Sequence, residues 1–327
     1  MLERGKPMPR EMMYAEAMAT AITEEMTRDS DVIFYGQNLG MTDRDPLVRK
    51  FGKSRVRITP ISETAEMGIA VGAALTGLRP VVELWMSEFM LVAMGQLLNE
   101  APRLRYMSGG QVKVPLVFKA GYGFAAGWAG QHSNCIYNTM MGVPGLKVAL
   151  PSTPADAKGL MAASIRDDNP VMYLHHYMLM LDKGPVPEGD HVVPFGVAEV
   201  KRAGSDVTVV ATGWMVTKSL AAAEALAKEG ISIEVIDPRT IAPLDVDTIL
   251  QSIKKTGRLV LVDQATRHAS VAAIIAAEVA ERGFQYLKAP VKMVTALDTS
   301  VPYSEPLEKY VMPNEEKIIK AVKSAVL

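Results

Sequence analysis

Cysteine and excess charge are the two features that the sequence most plainly lacks. Cys135 is the single cysteine among 327 residues, so no intrachain disulfide can form, which is typical of proteins in a reducing compartment. The 35 basic and 36 acidic residues leave a formal net charge of −1. This balance argues against nucleic acid or an anionic membrane surface as the main partner.

Long apolar runs are also absent. The longest stretch of small apolar residues, GIAVGAALTGL, is shorter than the roughly 20 residues that a membrane-spanning helix needs. The first residues, MLERGKPMPREMM, do not include the continuous apolar segment of a secretory signal. We therefore expect a soluble, cytoplasmic protein.

The common ligand-binding motifs are missing or incomplete. The sequence has no G-x-x-x-x-G-K-[ST] phosphate loop, and the third glycine of GYGFAAG comes one residue too late for a dinucleotide fingerprint. The histidines show no metal-binding spacing, and the adjacent His175 and His176 should point to opposite faces of a strand. A metal site built wholly within this chain is not expected.

Short β-branched runs alternate with helical segments along most of the chain, which predicts parallel sheets covered by helices on both faces. The predicted strands are DVIFYG, RVRITP, RPVVELW, VPLVFKAG, LKVALP, PVMYLHH, DVTVVATG, ISIEVID, RLVLVDQ and VKMVTALD. Helices are predicted over 10–27, 63–76, 90–107 and 154–167. The segment DKGPVPEGDHVVPFG indicates a linker. We predict an α/β fold of two doubly wound, mostly parallel-sheet domains, 1–186 and 187–327, with ligands at the carboxyl ends of strands.

The segment over residues 59–83, TPISETAEMGIAVGAALTGLRPVVE, is the most informative stretch of the chain. It predicts a strand end, a helix of very small residues and a second strand. Glu63 and Glu66 stand at the start of the helix. Position alone makes them capping residues that interact with the helix dipole, each worth about 0.3–1 kcal/mol.

Segments along nearly the whole chain resemble one family. They are ISETAEMGIAVGAALTGLRPVVE, LRYMSGGQVKVPLVFKA, GQHSNC, VPGLKVALPSTPADAKGLMAASIRDDNPV, GDHVVPFGVAEV, VIDPRTIAPLD and TSVPYSEPLEKYVMPNEEKI. In this order they closely resemble the β subunit of the thiamine-diphosphate-dependent first component of 2-oxo acid dehydrogenase complexes, and that of acetoin dehydrogenase. The resemblance implies a pyrimidine-binding transketolase-like domain followed by a transketolase C-terminal-like domain.

The resemblance gives Glu63 a catalytic role. In the family, the glutamate at this position contacts the aminopyrimidine ring of thiamine diphosphate and favours its imino tautomer, which makes the exocyclic nitrogen a base. A buried, partly apolar setting raises a carboxyl pKa, so that the proton can be shared. Met86 and Phe89, in the stretch LWMSEFM, are placed beside the cofactor. Glu66 is interpreted as a structural or dipole residue.

The resemblance also places His132 in a loop that reaches over the reactive carbon of the cofactor. Its implied role is to donate a proton or hydrogen bond to the substrate carbonyl, which suits an imidazole because its unperturbed pKa is near 6.5. The alternative is a solvated loop histidine. Ser133 is expected to cap the following helix, and Cys135 to be a small buried hydrophobe in that helix.

Two further sites are implied by the resemblance. SIRDDNPV matches a turn that binds a structural potassium ion, largely through backbone carbonyls, and Leu116, Ser164, Asp167 and Asn169 fall at the matching positions. An ordinary helix-to-strand turn is the alternative. Arg267, in DQATRHAS, matches a family turn that carries an arginine, and we expect it to face the substrate channel or the partner.

The chain resembles one half of a cofactor site. Thiamine enzymes hold the diphosphate through a divalent metal with a G-D-G motif, and this sequence contains none. The resemblance therefore implies that an α subunit holds Mg²⁺, that the two chains share thiamine diphosphate in an α2β2 heterotetramer, and that a lipoyl-bearing acyltransferase accepts the acyl group. We expect negligible activity without the α subunit.

The sequence departs from the family near the expected entrance to the active site. YGQNLG places the neutral Gln37 and Asn38 where acidic residues are usual, and LHHYMLM replaces a strand that ends in EHK. Neutral amides change which substrate charge is tolerated. Pyruvate, a branched 2-oxo acid, acetoin and another dicarbonyl or ketol all stay open. Two other functions are a split transketolase-type ketol transfer and a non-catalytic scaffold that docks an acyltransferase.

Overall fold

The computed structural model describes residues 9–37, 45–124, 127–268 and 270–327. In these ranges the strands are β1 (Arg10–Met13), β2 (Val32–Gly36), β3 (Val56–Ile58), β4 (Arg79–Met86), β5 (Val117–Tyr122), β6 (Lys147–Ala149), β7 (Val171–His176), β8 (Lys183–Val186), β9 (Glu199–Arg202), β10 (Val207–Ala211), β11 (Ile233–Asp237), β12 (Thr240–Ala242), β13 (Leu259–Thr266) and β14 (Lys292–Ala296). The α-helices are α1 (Tyr14–Arg28), α2 (Pro46–Phe51), α3 (Glu63–Leu75), α4 (Ala101–Met107), α5 (Tyr137–Met141), α6 (Pro154–Arg166), α7 (Trp214–Ala227), α8 (Val246–Thr256), α9 (Val271–Arg282), α10 (Glu305–Val311) and α11 (Glu315–Val326).

Two large sheets organise the part of the chain that the structure describes. The first has the order β12-β6-β7-β5-β4-β2-β3, and the second has the order β14-β13-β10-β11-β9. Neighbouring strands are parallel except for one antiparallel edge strand in each sheet, β12 in the first and β9 in the second. The predicted α/β class with two mostly parallel sheets is confirmed.

Helices cover the faces of both sheets, as the buried, β-branched strands require. Helices α1 and α6 pack together on the first sheet, and α7 and α11 pack together on the second. The core beneath α1 and α6 contains the buried side chains of Met18, Ile22 and Leu160 against Phe34 and Tyr173 of the sheet. The amphipathic pattern of these segments is therefore satisfied by burial on a sheet.

The predicted helix over 10–27 is wrong in its first turn. Residues 10–13 form β1, which pairs antiparallel with β8, and α1 begins at Tyr14. The partner strand β8 lies in the segment DKGPVPEGDHVVPFG, for which the sequence predicts a linker. Because the two strands are separated by about 170 residues in sequence, no local pattern reveals the pairing.

The predicted helix over 90–107 is broken into three segments. A 3₁₀ segment, Ser87–Ala93, and a π-helical segment, Gly95–Glu100, precede α4. Pro102 lies in the first turn of α4 and has no N–H to donate to the preceding turn, so a regular α-helix cannot continue across it. The segment follows β4 and brings Phe89 to the end of the first sheet.

The two halves of the chain interlock. Strand β12 belongs to the second half but pairs with β6 of the first sheet. Beside it, the fully buried Asp237 accepts a hydrogen bond from the Ser152 hydroxyl and one of 2.8 Å from the backbone N–H of Arg239. Lys201 lies between Asp156, at 2.7 Å, and Asp237, at 3.9 Å. The division of the chain at residue 187 stays a prediction.

This buried ionic cluster predicts a pH dependence of stability. Burial raises the pKa of Asp237 to about 7, although the ammonium of Lys201 opposes the rise. The folded state therefore binds an extra proton between about pH 4 and 7, and this group's contribution to the free energy of unfolding falls as pH rises through that window. We expect Asp237→Asn, which cannot ionise, to gain stability relative to the wild type from pH 5 to pH 8, by up to a few kcal/mol.

Urea denaturation of both proteins at several pH values measures this difference. Asp206→Asn, at a partly exposed position in the second half of the chain, serves as the control and should show a weaker trend. A difference that stays constant from pH 5 to pH 8, or that moves the other way, would contradict the prediction.

Candidate active site

A cavity of about 360 Å³ lies at the carboxyl ends of β2 and β4. It is lined by Gln37, Ile61, Glu63, Trp85, Met86, Phe89 and His132. Four of these, Glu63, Met86, Phe89 and His132, are the residues for which the family resemblance implies catalysis or cofactor binding. The structure therefore brings them together, at the edge of a parallel sheet where ligands usually bind.

The carboxyl group of Glu63 stands at the positive end of a helix. Glu63 is the first residue of α3 and is half-buried. Glu66, one turn further along, does not line the cavity: its buried side chain accepts hydrogen bonds from Gln37 Nε2, at 2.9 Å, and from the hydroxyl of Thr59. Burial raises the pKa of Glu66. Glu63 thus faces the cavity, whereas the carboxylate of Glu66 is already hydrogen-bonded within the protein.

Gln37 has a physical role beside Glu66. Its side chain is 6 % exposed and its amide donates to the Glu66 carboxylate. An acidic residue at this position would set a second buried carboxylate against Glu66, whereas an amide supplies the donor that the carboxylate needs. The neutral residue is therefore matched to its neighbour. Asn38, the other predicted departure, lies outside the described residues.

Apolar side chains form the rest of the cavity wall. Met86 ends β4, and Phe89 follows it in the 3₁₀ segment. Ile61 and Trp85, which sequence reasoning missed, complete the wall while being 67 % and 47 % exposed. Trp85 could have been predicted from the sequence, because it is a large aromatic residue next to the carboxyl end of β4, where ligands usually bind. The cavity thus combines a carboxyl group with flat and flexible apolar surfaces.

His132 lies across the cavity on an irregular loop. Its ring is half-buried and contacts Phe89 edge-to-face, with ring centroids 5.4 Å apart. The backbone N–H of His132 donates to the carbonyl of Ala129 at 3.4 Å, and Ala129 has a positive φ of 60°. The loop turns sharply just before the histidine, as the glycine-rich sequence indicates.

The predicted helix positions of the two residues near His132 are wrong, although Cys135 packs against the apolar core as predicted. Ser133 does not cap a helix, because α5 begins only at Tyr137. Within the described residues, the buried Ser133 hydroxyl has no hydrogen-bond partner. Cys135 lies in the loop and is half-buried, with its Sγ 3.6 Å from Oε1 of Gln264. Burial raises the pKa of the Cys135 thiol well above its usual range, so it is a poor nucleophile.

Glu88 is a buried acidic residue that sequence reasoning missed. It is 6 % exposed, and its Oε1 accepts a 2.7 Å hydrogen bond from the backbone N–H of Asn134, two residues after His132. Burial raises the pKa of Glu88, while the hydrogen bonds from Asn134 and Ser87 and the nearby His132 oppose the rise. A single glutamate inside an apolar stretch was the available signal.

His175 and His176 lie on opposite faces of the first sheet, as their adjacency on β7 predicts. His176 stacks on Trp214 and shares a 2.6 Å hydrogen bond with Gln264, and burial lowers its pKa to about 4. His175 lies near the Lys119 ammonium, and burial lowers its pKa as well. Both rings are therefore neutral near pH 7. Over the described ranges, no cluster of three or more His, Cys, Asp or Glu side chains is arranged to hold a metal ion.

The four residues of the predicted potassium site lie near the amino ends of strands β5 and β7 of the first sheet, whereas the cavity lies at the carboxyl ends of its strands. Leu116 and Asn169 precede β5 and β7, and Ser164 and Asp167 lie at the end of α6. The Leu116 carbonyl accepts from Val171 at 2.9 Å, the Ser164 carbonyl accepts from Asp167 at 3.4 Å, and the Asp167 carbonyl accepts from Arg79 at 3.2 Å. The Asp167 carboxylate also pairs with Lys147. Two protein cations are thus already beside the turn.

Arg267 is not part of the cavity. It is exposed and lies in a groove of the second half of the chain, together with His268, Lys292, Lys317 and Lys320. No described contact of Arg267 tests whether it faces a substrate channel or a partner, and its role therefore stays a prediction. No described helix has both the length and the apolar character to cross a membrane.

Comparison with known families agrees with this geometry. Residues 10–180 match the model of the transketolase pyrimidine binding domain, and residues 196–318 match that of the transketolase C-terminal domain. The cavity residues Gln37, Glu63, Met86, Phe89 and His132 all fall within the first match. The matched region is therefore the one that carries the candidate site.

Several characterised proteins are similar over nearly their whole length. The acetoin:2,6-dichlorophenolindophenol oxidoreductase subunit beta of Cupriavidus necator is 42% identical, over 98% of both chains. The pyruvate dehydrogenase E1 component subunit beta of Rickettsia bellii is 43% identical, over 94% of this chain and 96% of that protein. The 2-oxoisovalerate dehydrogenase subunit beta of Bacillus subtilis is 39% identical, over 95% of this chain and 98% of that protein.

A solved structure described as a split gene transketolase, inactive beta4 tetramer, has the same fold. Its TM-score is 0.81 at 21% identity, over 96% of this chain and 98% of that chain. At this identity the likeness concerns the fold alone, and the family rests on the domain matches and the relatives. The chain belongs to the transketolase-type, thiamine-diphosphate-dependent family that includes the β subunits of acetoin, pyruvate and 2-oxoisovalerate dehydrogenases.

Proposed function

We propose that this chain is the β subunit of a thiamine-diphosphate-dependent dehydrogenase that acts on a 2-oxo acid or acetoin. The enzyme cleaves the carbon–carbon bond next to a carbonyl and passes the acyl group to a lipoyl carrier on an acyltransferase. The observation that carries this proposal is the convergence of Glu63, Met86, Phe89 and His132 on one cavity at the carboxyl edge of a parallel sheet. A scaffold protein would have no need to keep these side chains together.

The cavity residues suit the aminopyrimidine half of the cofactor. Glu63 offers a half-buried carboxyl group that can hydrogen-bond to a ring nitrogen, and Met86 and Phe89 offer apolar surfaces on which a flat ring can pack. When bound, thiamine diphosphate supplies the carbon chemistry of the reaction. Glu63 holds and exchanges a proton at its carboxyl oxygen, and His132 donates or accepts one at its ring nitrogen near the substrate carbonyl.

The surface around the cavity supports a shared site. Ile61 lines the cavity and is 67 % exposed, and Ile69 on α3 and Val92 in the 3₁₀ segment are 58 % and 66 % exposed. The backbone carbonyl of Val92 accepts a hydrogen bond from Thr64 near the start of α3. Exposed apolar side chains of this size, on the elements that also carry cavity residues, are typical of a protein interface. We propose that an α subunit covers this face in an α2β2 heterotetramer, holds Mg²⁺ and binds the diphosphate.

A structural potassium ion at the turn near Asp167 belongs to the same proposal. Its ligands would be backbone carbonyls of Leu116, Ser164, Asp167 and Asn169, and carbonyl oxygens suit a hard monovalent cation. Arg79 already binds the Asp167 carbonyl and Lys147 already pairs with its carboxylate. A potassium ion would therefore further stabilise a turn that two protein cations already contact. Arg267 is kept as a candidate contact for the partner chains, because it is exposed.

Calorimetric titration with thiamine diphosphate and Mg²⁺ tests the proposed half-site. We expect no measurable binding to this chain alone, because it offers no diphosphate grip, and stoichiometric binding once the α subunit is added. The α subunit alone serves as the control. Tight, stoichiometric binding by the isolated chain would mean that it has its own diphosphate site, and the proposed division between the subunits would be wrong.

Ketol transfer of the transketolase type is the second candidate function, favoured by the shared fold. The acceptor distinguishes the two. The assembled enzyme is assayed with lipoamide as acceptor and pyruvate, a branched 2-oxo acid or acetoin as donor, and with an aldose phosphate as acceptor and a ketose phosphate, which carries the ketol unit, as donor. Transfer to lipoamide supports the dehydrogenase, and transfer to an aldose phosphate supports the ketol-transfer enzyme.

A further inference from the structure

The loop that carries His132 is held by few contacts of its own. Between Gly127 and Ile136 it has no regular secondary structure. Its described internal hydrogen bonds include that of the His132 N–H with Ala129, which at 3.4 Å is long, and that of Asn134 Nδ2 with the Gly130 carbonyl, at 2.7 Å. Such a segment can place a side chain reproducibly only when other elements fix it.

Glu88 fixes the loop on the carboxyl side of His132. The 2.7 Å hydrogen bond from the Asn134 N–H ends on a buried carboxylate, whose second oxygen accepts from the Ser87 hydroxyl at 3.2 Å. Hydrogen bonds from a backbone N–H to a carboxylate are stronger than those between neutral groups. The next residue, Phe89, contacts the His132 ring itself. One short segment therefore holds both the loop backbone and the imidazole.

Glu308 fixes the loop on the amino side. It lies on α10 in the second half of the chain, is 5 % exposed, and its Oε2 accepts a 3.0 Å hydrogen bond from the backbone N–H of Gly127. Gly127 has a φ of 79°, a conformation that glycine adopts without strain. Within the described residues, Oε1 of Glu308 has no partner, so the loop contact is the hydrogen bond that satisfies this buried carboxyl group.

We propose that Glu88 and Glu308 are positioning residues that set the place of His132 over the cavity, one from each half of the chain. The inference rests on the proposed function of His132. The position of the imidazole then depends on the contact between the two halves of the chain. A shift of α10 relative to the first sheet would move Gly127 through its hydrogen bond to Glu308, while Asn134 stays bound to Glu88.

The test uses the complex of this chain with its α subunit and four variants, Glu88→Ala, Glu88→Gln, Glu308→Ala and Glu308→Gln. Because a displacement of about 1 Å in a catalytic group can cost up to about a hundredfold in rate, we expect the alanine variants to lower kcat by about tenfold to about a hundredfold. We expect KM to change much less. Glutamine keeps an oxygen acceptor, so each glutamine variant should recover part of the loss.

A matched control separates positioning from general loss of a buried carboxylate. Glu234 is also buried, and its Oε2 accepts from the backbone N–H of Gly204 at 3.4 Å, but it lies away from the loop. Glu234→Ala should leave kcat unchanged. Without added cofactor, hydrogen–deuterium exchange of the peptide that covers 127–136 should rise in the Glu88 and Glu308 alanine variants and stay unchanged in Glu234→Ala.

A double-mutant cycle with His132→Ala decides the proposal. If the glutamates act through the histidine, adding Glu88→Ala or Glu308→Ala to His132→Ala should lower kcat no further. Independent, multiplicative losses, or unchanged exchange of the loop peptide, would overturn the positioning role while leaving the function of His132 intact. Full activity of His132→Ala itself would overturn both, and so the two failures are distinguishable.

Discussion

Replacing Glu63 with glutamine is expected to lower the turnover of the assembled enzyme by about a hundredfold to about ten-thousandfold, the range typical of a lost proton-transfer group. Glutamine preserves the size of the side chain and its ability to hydrogen-bond. It cannot share a proton with the aminopyrimidine ring. The expected loss is therefore in kcat, with weaker binding of thiamine diphosphate as a second effect. Steady-state kinetics and calorimetry on the α-bound complex measure the two quantities.

Glu315 offers a matched control for the helix-dipole role of Glu63. Glu315 is the first residue of α11, as Glu63 is the first residue of α3, and it lies in the second half of the chain, paired with Lys218. Both glutamine variants should lose up to about 1 kcal/mol of stability, because each removes a negative charge from a helix amino terminus. Only Glu63→Gln should lose activity. If neither variant lowers turnover below that of the wild type, the scaffold hypothesis is favoured.

Replacing His132 with alanine should lower kcat by a similar amount, about a hundredfold to about ten-thousandfold, while cofactor binding stays close to that of the wild type. The imidazole lies across the cavity from the carboxyl group and contacts Phe89. It is placed to act on the substrate and not to hold the ring of the cofactor. The dependence of kcat on pH should also change, since a titratable group has been removed.

His191→Ala is the control for this variant. His191 is half-buried in an irregular segment, as His132 is, and its Nε2 lies 3.2 Å from the carbonyl of Ala155, far along the chain from the loop. It should affect stability without changing the pH profile of turnover. If His132→Ala kept both the wild-type rate and the wild-type profile, the histidine would have no part in proton transfer. Together, the Glu63 and His132 variants separate cofactor activation from substrate chemistry.

Much of the fold could be predicted because its signals are local. The β-branched runs at β2, β4, β5 and β7, and the strand–helix–strand pattern around Glu63, reflect side-chain periodicity and caps that neighbouring residues set. The resemblance then named Glu63, Met86, Phe89 and His132 as site residues, and the structure places all four in one cavity. Their catalytic roles stay predictions that the variants above test.

The elements that sequence reasoning missed depend on contacts between distant parts of the chain. Strand β1 forms because β8 returns to it, and β12 leaves its own half to join β6. The irregular segment after β4 buries Glu88 and Met90, and it precedes the helix that has Pro102 in its first turn. Whether such a strand forms depends on a partner strand that is distant in sequence, and a window of neighbouring residues does not contain that information.

The amino-acid sequence by itself determined the α/β class, the alternation of strands and helices, and the presence of a carboxyl group at a helix start and an imidazole in a glycine-rich loop. Only the tertiary structure decided how that loop is held. Glu88 reaches Asn134 across 46 positions and Glu308 reaches Gly127 across 181. The physical reason is that buried carboxylates are satisfied by whichever N–H groups the fold brings to them, and that pairing exists only once both halves of the chain have packed.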